Sequence, residues 1–274
     1  MNFLLFVILI FFIANPTNAD IRLASFYTEN TLVDSNLERI ADIIQRYDFV
    51  AIQGFRETKL IDPLVSILFR RGDYYKFIVS NPTGKNGKRY AFAWRDKKIQ
   101  IASPPRFIDT QLEHKALIAT FRSDKFDFIA INFQSLSTKD NTSKLLNTYH
   151  ESNRLTPDEL DVIIFAALPG KILPKLSPLV QVIPESISDT VIQQELFPTI
   201  YLNKKNTREF TGNAQQANPS QLIFDSNKNT LYSRLGWAEF NNSLIDDDPK
   251  PSLIRNHGWG KTKIRFTKNN ISVK

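Results

Sequence analysis

The sequence predicts an α/β protein in which two packed β-sheets form a sandwich flanked by helices. Two strand-then-helix units open the chain, and a run of strands separated by polar loops follows them. Strand patterns then return at intervals up to the end of the sequence. A two-sheet sandwich with flanking helices accounts for all these elements, and no internal repeat or linker divides residues 20–274.

The opening units are defined by the spacing of apolar residues. Residues 21–27 and 48–53 have the pattern of strands, and the second of them is apolar enough to be buried. Between them, Asp34-Ser35 can cap a helix whose apolar residues, at helical spacing, run over 37–47. Residues 60–70 predict a second helix.

The later elements are mainly strands. We predict them at residues 74–80, 89–95, 98–102, 116–121, 126–133, 162–166, 179–183, 221–224, 231–238 and 263–266. A polar helix is predicted over residues 137–153, between two of these strands.

The amino terminus has the features of a signal peptide. Residues 3–14 are all apolar, and Pro16 and the small residues Thr17-Asn18-Ala19 follow, so we expect cleavage before Asp20. Twelve apolar residues in a helix span about 18 Å, short of the ~30 Å core of a bilayer, so no transmembrane anchor is expected. The segment has no Lys or Arg, which leaves a retained amphipathic anchor as the alternative. The prediction is a signal peptide at 1–19, a single domain at 20–274, and a secreted or periplasmic protein.

Composition narrows the chemistry. The chain has no cysteine, which excludes disulfides, thiolate nucleophiles and Cys-ligated zinc. Its formal net charge is +7, and basic residues concentrate in 85–98 and 250–274. Such stripes suit a polyanion, either nucleic acid or an anionic membrane surface, and an ordinary basic surface is the alternative.

Several sequence blocks resemble one known family. In chain order they are IRLASFY, RYDFVAIQGFRE, YYKFIVSNPTGKNGKRYAFAWR, FDFIAINFQS and VIIFAALPG. They resemble deoxyribonuclease I and the endonuclease/exonuclease/phosphatase superfamily, well over residues 21–170 and loosely beyond. The resemblance implies a four-layer α/β/β/α fold. It also implies a divalent metal held by carboxylates and an Asn, with a His-carboxylate pair activating water.

The positions that should carry this chemistry hold other residues. Tyr27 replaces an Asn, Gly54 a metal-binding Glu, and Lys88 a Glu that orients a histidine. Gln134 stands in place of that catalytic histidine. The paired Asp and Asn that flank the scissile phosphate correspond to Ala167 and Pro169.

The carboxyl-terminal positions are changed as well. A further Asp corresponds to Ser220 or Gln221, and the Asp of the terminal block corresponds to Asn256. His257 is the lone surviving catalytic residue, and without its acid partner it predicts a structural or phosphate-donating histidine.

Two cations match positions that the family uses near nucleic acid. Arg56 follows the metal-ligand position by two residues, and Lys85 lies in the SNPTGKNGK loop. Both can contact phosphate without hydrolysis, and both can equally be ordinary surface cations.

The sequence therefore predicts an exported, catalytically inactive protein that binds a polyanion such as nucleic acid, or a protein partner in a secreted or toxin-like complex. No cofactor is expected. The alternative is a Mg- or Ca-dependent phosphodiesterase whose ligands are relocated to Glu57, Asp225 or Asp246-Asp247-Asp248. Each of these acids also suits a helix start, a turn or a solvated loop.

Overall fold

The structure is a computed structural model, and it describes part of the chain. The described residues are 20–28, 32–84, 86–108, 115–135, 141–169, 177–183, 196–216, 224–225, 230–231, 234–244, 264–267 and 270–273.

Three α-helices and seventeen strands lie in the described residues. The helices are α1 (Leu37–Ile44), α2 (Ile61–Arg70) and α3 (Asn141–Leu155). The strands are β1 (Asp20–Tyr27), β2 (Phe49–Phe55), β3 (Tyr75–Val79), β4 (Arg89–Arg95), β5 (Gln100–Ile101), β6 (Arg106–Ile108), β7 (Ala116–Ser123), β8 (Phe126–Gln134), β9 (Val162–Pro169), β10 (Val180–Gln181), β11 (Leu196–Leu202), β12 (Phe210–Gln216), β13 (Phe224–Asp225), β14 (Thr230–Leu231), β15 (Arg234–Asn241), β16 (Ile264–Thr267) and β17 (Asn270–Val273).

The strands form two large sheets, as the sequence predicts. The first sheet has the order β12-β15-β1-β2-β4-β3-β17-β16. The second has the order β10-β11-β9-β8-β7-β5, with β6 also paired to β7, and β13 and β14 form a separate two-stranded ladder. β1 and β2 are parallel and joined through α1, while β8 and β9 are parallel and joined through α3.

Helices cover the outer faces of both sheets. Ile40 of α1 and Leu64 of α2 are fully buried in one apolar core with Ile52 of the first sheet. Leu145 of α3 is fully buried against the second sheet. The layers are therefore helix, sheet, sheet, helix, which confirms the predicted fold class.

The sequence of β2 is almost continuously apolar because both faces of the strand are covered. Phe49 and Ala51 point between the sheets, whereas Val50 and Ile52 point toward the helices, and all four are buried. A strand covered on both faces has no solvent side, so it lacks the alternation of a surface strand.

The space between the sheets is filled largely by aromatic rings around Phe49. Its ring centroid lies 4.9 Å from that of Phe121, 5.6 Å from that of Phe128 and 5.3 Å from that of Phe165. Each such side chain contributes about 1.5–3 kcal/mol when fully buried. This cluster joins one strand of the first sheet to three strands of the second.

A polar bridge crosses the same interface nearer one end. The amide nitrogen of Gln53 donates to Asn132 Oδ1 at 2.9 Å and to Ser25 Oγ at 3.2 Å. Asn132 Nδ2 in turn donates to the carbonyl oxygens of Ile52 at 3.2 Å and Ala91 at 3.0 Å. Because Asn132 belongs to β8 and the other residues belong to the first sheet, these bonds fix one sheet against the other.

The sequence analysis did not predict β6, β11, β12 or β17, and for β11 and β12 the reason is identifiable. β11 contains Pro198, which cannot donate a ladder hydrogen bond. Within the described residues, β10 pairs with Tyr201 and Leu202 and does not reach Pro198, so no ladder hydrogen bond from Pro198 to β10 is needed. β12 is a polar edge strand with Gly212 at φ +90° and an irregular register between Phe210 and Ala214, so it lacks the apolar alternation that predicts a strand.

Other boundaries moved by a few residues. The polar helix predicted at 137–153 is α3, which runs over Asn141–Leu155 in the described residues, and residues 137–140 lie outside them. The strand predicted at 231–238 corresponds to β15 at Arg234–Asn241, and residues 232–233 lie outside the described residues. The strand predicted at 179–183 is reduced to Val180–Gln181, and most of 221–224 lies outside the described residues. Within the described ranges, no helix combines the length and apolar character needed to cross a bilayer.

Replacing Asn132 should destabilise the fold. Asn132→Leu would leave two backbone carbonyls and the Gln53 amide buried without their partner, so we expect the free energy of unfolding to fall by about 3 kcal/mol. Urea denaturation measures this, with the exposed Asn213→Leu as a matched control that changes stability little. Equal stability of Asn132→Leu and the unchanged chain would show that the bridge contributes nothing.

Tyr75 should make stability sensitive to alkaline pH. Its hydroxyl donates to the carbonyl of Ile44 at 3.0 Å and to that of Tyr47, and burial, opposed by Arg95, raises the pKa of Tyr75. The unfolded chain therefore loses this proton near pH ~10 while the folded chain keeps it, so the contribution present below pH ~10 is lost as pH rises further.

We expect Tyr75→Phe to be about 1 kcal/mol less stable at neutral pH, because its two acceptors lose their donor. Above pH ~10 the difference should shrink by up to about 1.4 kcal/mol per pH unit. Urea denaturation across pH tests this, with the neighbouring, largely exposed Tyr74→Phe as control. A difference that stays constant above pH ~10 would contradict it.

Candidate functional site

One end of the sandwich collects the residues that the sequence singled out. The parallel strands β1 and β2 finish there at Tyr27 and Phe55, and the parallel strands β8 and β9 finish there at Gln134 and Pro169. Tyr27, Ala167 and Leu196 form one small apolar cluster, which shows that the two pairs of strand ends meet. We call this region the site end.

Strand register explains how the site residues come together. Within the first sheet, Tyr27 lies opposite Gln53, and Gln53 lies opposite Tyr90. Within the second, Gln134 lies opposite Ala167. The described positions that were predicted to be degenerate therefore occupy one place in the fold.

Gly54 has a backbone role. Its φ is +88°, in the region that favours glycine, and the register of β2 shifts between Gln53 and Phe55. Ile52 and Phe55 consequently both face the core beneath the helices, although they are three positions apart and would lie on opposite faces of a regular strand. Gly54 thus supplies no ligand and also sets the bulge that turns Phe55 into that core.

Lys88 places a positive charge inside the site end. The residue is 8% exposed, and its ammonium group donates to the hydroxyl of Tyr27 at 3.4 Å. The same nitrogen lies 5.6 Å from the centre of the Tyr27 ring, within range of a cation–π interaction. The carbonyl of Lys88 accepts hydrogen bonds from the backbone nitrogen of Thr83 at 2.7 Å and its hydroxyl at 3.0 Å, which fixes the hairpin.

Tyr90 supports Gln134 from the first sheet. The backbone nitrogen of Gln134 donates to the Tyr90 hydroxyl at 3.1 Å. Burial raises the pKa of Tyr90 to about 12, and the hydrogen bonds of Gln134 and Thr83 oppose the shift, so the phenol is neutral at physiological pH. Gln134 is itself 1% exposed, and among the residues that the structure describes neither its Nε2 nor its Oε1 has a hydrogen-bond partner.

Sequence reasoning missed the supporting residues of this region. The sequence analysis predicted only that these residues, Ser25, Tyr90 and Asn132, lie in strands. Their hydrogen bonds to residues distant in the sequence leave no mark in the local pattern. Asn132 lies between the apolar residues Ile131 and Phe133 of a buried strand, and this placement is a signal that could have indicated a buried hydrogen bond.

A mainly basic surface borders the site end, formed by the exposed Arg56 and Lys59 and the half-buried Arg89, and we call these three residues the basic rim. The backbone oxygen of Arg56 accepts from Arg89 Nε at 3.2 Å, and Arg89 also donates to Ser80 O at 2.8 Å. Burial lowers the pKa of Arg89, and the nearby Glu57 opposes this. Arg56 itself is exposed, as its predicted role requires.

Several predicted site residues cannot be placed. Lys85, Asn256 and His257 lie outside the described residues, as do Asp246, Asp247 and Asp248. Their predicted roles remain predictions. Of the other proposed relocated ligands, Glu57 is exposed and lies 4.0 Å from Lys59, and Asp225 ends the short strand β13.

The side chains described at the site end do not fit a divalent metal. Hard cations require several converging oxygen ligands, preferably carboxylates. The positions here hold a tyrosine, a glycine, a glutamine and an alanine beside the ammonium group of Lys88, which repels a second cation. Across the described residues, no three His, Cys, Asp or Glu side chains come together as a possible metal site.

Solved structures with the same architecture have very different sequences. The endonuclease/exonuclease/phosphatase from Bacteroides vulgatus matches with a TM-score of 0.55 at 10% identity, over 80% of this chain and 98% of that one. The family protein from Bacteroides thetaiotaomicron matches with a TM-score of 0.54 at 9% identity, over 80% and 94%.

A third similar structure is truncated TDP2 from Caenorhabditis elegans, with a TM-score of 0.53 at 10% identity, over 81% of this chain and 98% of that one. Neither a protein-family model nor a curated protein sequence matches the chain. At these identities the structural likeness defines the architecture and not the activity. The chain has the fold of the endonuclease/exonuclease/phosphatase superfamily, a fold of the enzyme type.

Proposed function

We propose that this chain is a catalytically inactive member of this fold class that binds the phosphate groups of nucleic acid. The observation that carries the proposal is Lys88, a buried cation at a position for which the resemblance implies an acid. A site built around an ammonium ion attracts an anion, whereas a hydrolytic site of this type needs acids to hold a cation.

The neighbouring substitutions support loss of hydrolysis. Lys88 and Gln134 replace both members of the implied acid–histidine pair, and neither a protonated amine nor a carboxamide takes up a proton from water at neutral pH. Gly54 and Ala167 remove two acids at the same end of the sandwich. Because catalytic groups of this kind act as a unit, a single surviving histidine would retain little activity.

The basic rim supports phosphate contact. Arg56 and Lys59 are exposed on the segment that directly follows β2, and Arg89 lies opposite Phe55 on β4. The single acid among them, Glu57, leaves the rim net positive. Guanidinium and ammonium groups at a strand end can contact the phosphates of a nucleic acid without reading its bases.

We further propose that the protein is exported by the amino-terminal segment, to a secreted or periplasmic location. The support is the apolar run of residues 3–14 followed by the small residues Thr17-Asn18-Ala19. The absence of cysteine is compatible with an oxidising compartment, because no thiol needs protection there.

Hydrolysis is tested by nicking of supercoiled plasmid DNA. Purified residues 20–274 should leave the plasmid intact with Mg²⁺, Mn²⁺ or Ca²⁺, since the described side chains at the site end offer no ligand set for the metal. A metal-dependent endonuclease is the positive control. Nicking by the unchanged chain that His257→Ala abolishes would overturn the proposal and direct attention to relocated carboxylates.

Binding is tested by replacing one rim cation. Arg56→Ala should weaken binding of a single-stranded oligonucleotide and lower the slope of log K against log salt by about 0.7, the value for one phosphate contact. Fluorescence anisotropy across a salt series measures both. Arg46→Ala is the matched control, because Arg46 is equally exposed but lies at the other end of β2.

The salt series also separates the ligand classes. Binding that weakens steeply with salt in the unchanged chain supports a polyanion ligand. No binding of nucleic acid even at low salt would overturn the proposal and favour a protein partner.

A further inference from the structure

A buried amide marks the inner part of the site end. Gln134 is 1% exposed, and within the described part of the chain its Nε2 donor and Oε1 acceptor both lack a hydrogen-bond partner. Leaving such a group unsatisfied destabilises the fold. A ligand that brings both an acceptor and a donor would satisfy it.

The strand geometry directs this amide toward Lys88 and Tyr27. Gln134 is two residues beyond Asn132 on β8, so both side chains lie on the face that meets the first sheet. Ala167, which lies opposite Gln134, belongs to the same small apolar cluster as Tyr27. The Tyr27 hydroxyl accepts a hydrogen bond from the ammonium group of Lys88. The Tyr90 hydroxyl that holds the Gln134 backbone is two residues from Lys88 on the same face of the hairpin.

The chemistry of these groups favours a phosphate. Lys88 supplies a positive charge that is largely removed from water, and an anion bound there makes charge-assisted hydrogen bonds. The Nε2 of Gln134 can donate to an oxygen acceptor, and its Oε1 can accept from a hydroxyl donor. A phosphate group carries several acceptor oxygens, and its singly protonated form also carries a hydroxyl donor.

The depth of the site favours a phosphate at the end of a chain. Tyr27 is 3% exposed, Lys88 8% and Gln134 1%, so the groups lie behind the surface and not along an open groove. If an internal phosphodiester were bound here, the nucleic acid strand would have to enter the buried site on one side and leave it on the other. A terminal phosphate needs only one connection to the rim.

We propose that Lys88, Tyr27 and Gln134 form a binding site for one terminal phosphate of a nucleic acid strand, with the basic rim holding the adjoining phosphates. The inference rests on the proposed function and specifies which part of the ligand enters the site end. A free phosphate ion shares the chemistry, and the experiment separates the two sources.

The test compares oligonucleotides of one sequence that end in a 5′-phosphate, a 3′-phosphate or hydroxyl groups only. The unchanged chain should bind one phosphorylated form about tenfold more tightly than the hydroxyl form, the effect of one hydrogen bond to a charged group. Lys88→Met and Gln134→Leu should each remove this preference. Lys59→Met, at an exposed rim lysine, should weaken all forms and leave the ratio unchanged.

A second measurement does not depend on the folding of any variant. The ³¹P NMR signal of the terminal phosphate should shift on binding to the unchanged chain, and inorganic phosphate should displace that end selectively. Displacement at millimolar or lower phosphate with no preference among oligonucleotides would assign the site to free phosphate and overturn the terminal-phosphate proposal.

The outcomes separate this inference from the proposed function. Equal affinity for all three ends, or a preference that persists in folded Lys88→Met, overturns the inference while nucleic acid binding stands. Failure to bind any oligonucleotide, or cleavage of one, overturns the proposed function itself. Salt-dependent binding with a terminal preference that Lys88→Met removes supports both.

Discussion

The hydrogen bond between Gln53 and Asn132 is the interaction on which the arrangement of the site end depends. Most of the contact between the sheets is apolar and aromatic. Contact of this kind does not by itself fix the position of one sheet relative to the other. Asn132 bonds to backbone carbonyls of both β2 and β4, which are direct neighbours in the first sheet. The position of β8 relative to these two strands is thereby fixed.

This constraint matters because the site end is built from both sheets. Tyr27 and Lys88 come from the first sheet, whereas Gln134 and Ala167 come from the second. Gln134 is two residues from Asn132, so the bond that aligns the sheets also positions the unpartnered amide. Structural and binding roles thus share one short segment of β8.

The site end carries positive charge where the family resemblance implies acids. Lys88 places a cation next to the aromatic ring of Tyr27. The basic rim continues the same sign outward along the segment after β2. Positive charge in this place favours an anion such as phosphate and disfavours a metal cation.

The sequence predicted most of the buried strands and the grouping of the site positions. Strands such as β2 and β9 were recognisable because both of their faces are covered, which makes their sequences uniformly apolar. β11 and β12 were missed because each contains a residue that disfavours a strand, Pro198 in β11 and Gly212 in β12. The pairing with neighbouring strands that accommodates these residues cannot be seen in the local sequence.

The site itself was predictable only in part. The degenerate positions at Tyr27, Gly54, Lys88, Gln134 and Ala167 followed from the family resemblance, and the strand register brings them to one end. The contacts of Tyr90 and Asn132 join residues more than forty positions apart, so no short-range pattern could indicate them.

The conformation of Gly54 limits which residues this position can hold. At φ +88°, any residue with a side chain would be strained by about 1–3 kcal/mol. If that strain changed the backbone, Phe55 would lose the bulge that seats it in the core. A glutamate introduced by a single substitution, where the family resemblance implies a metal ligand, would therefore weaken the fold.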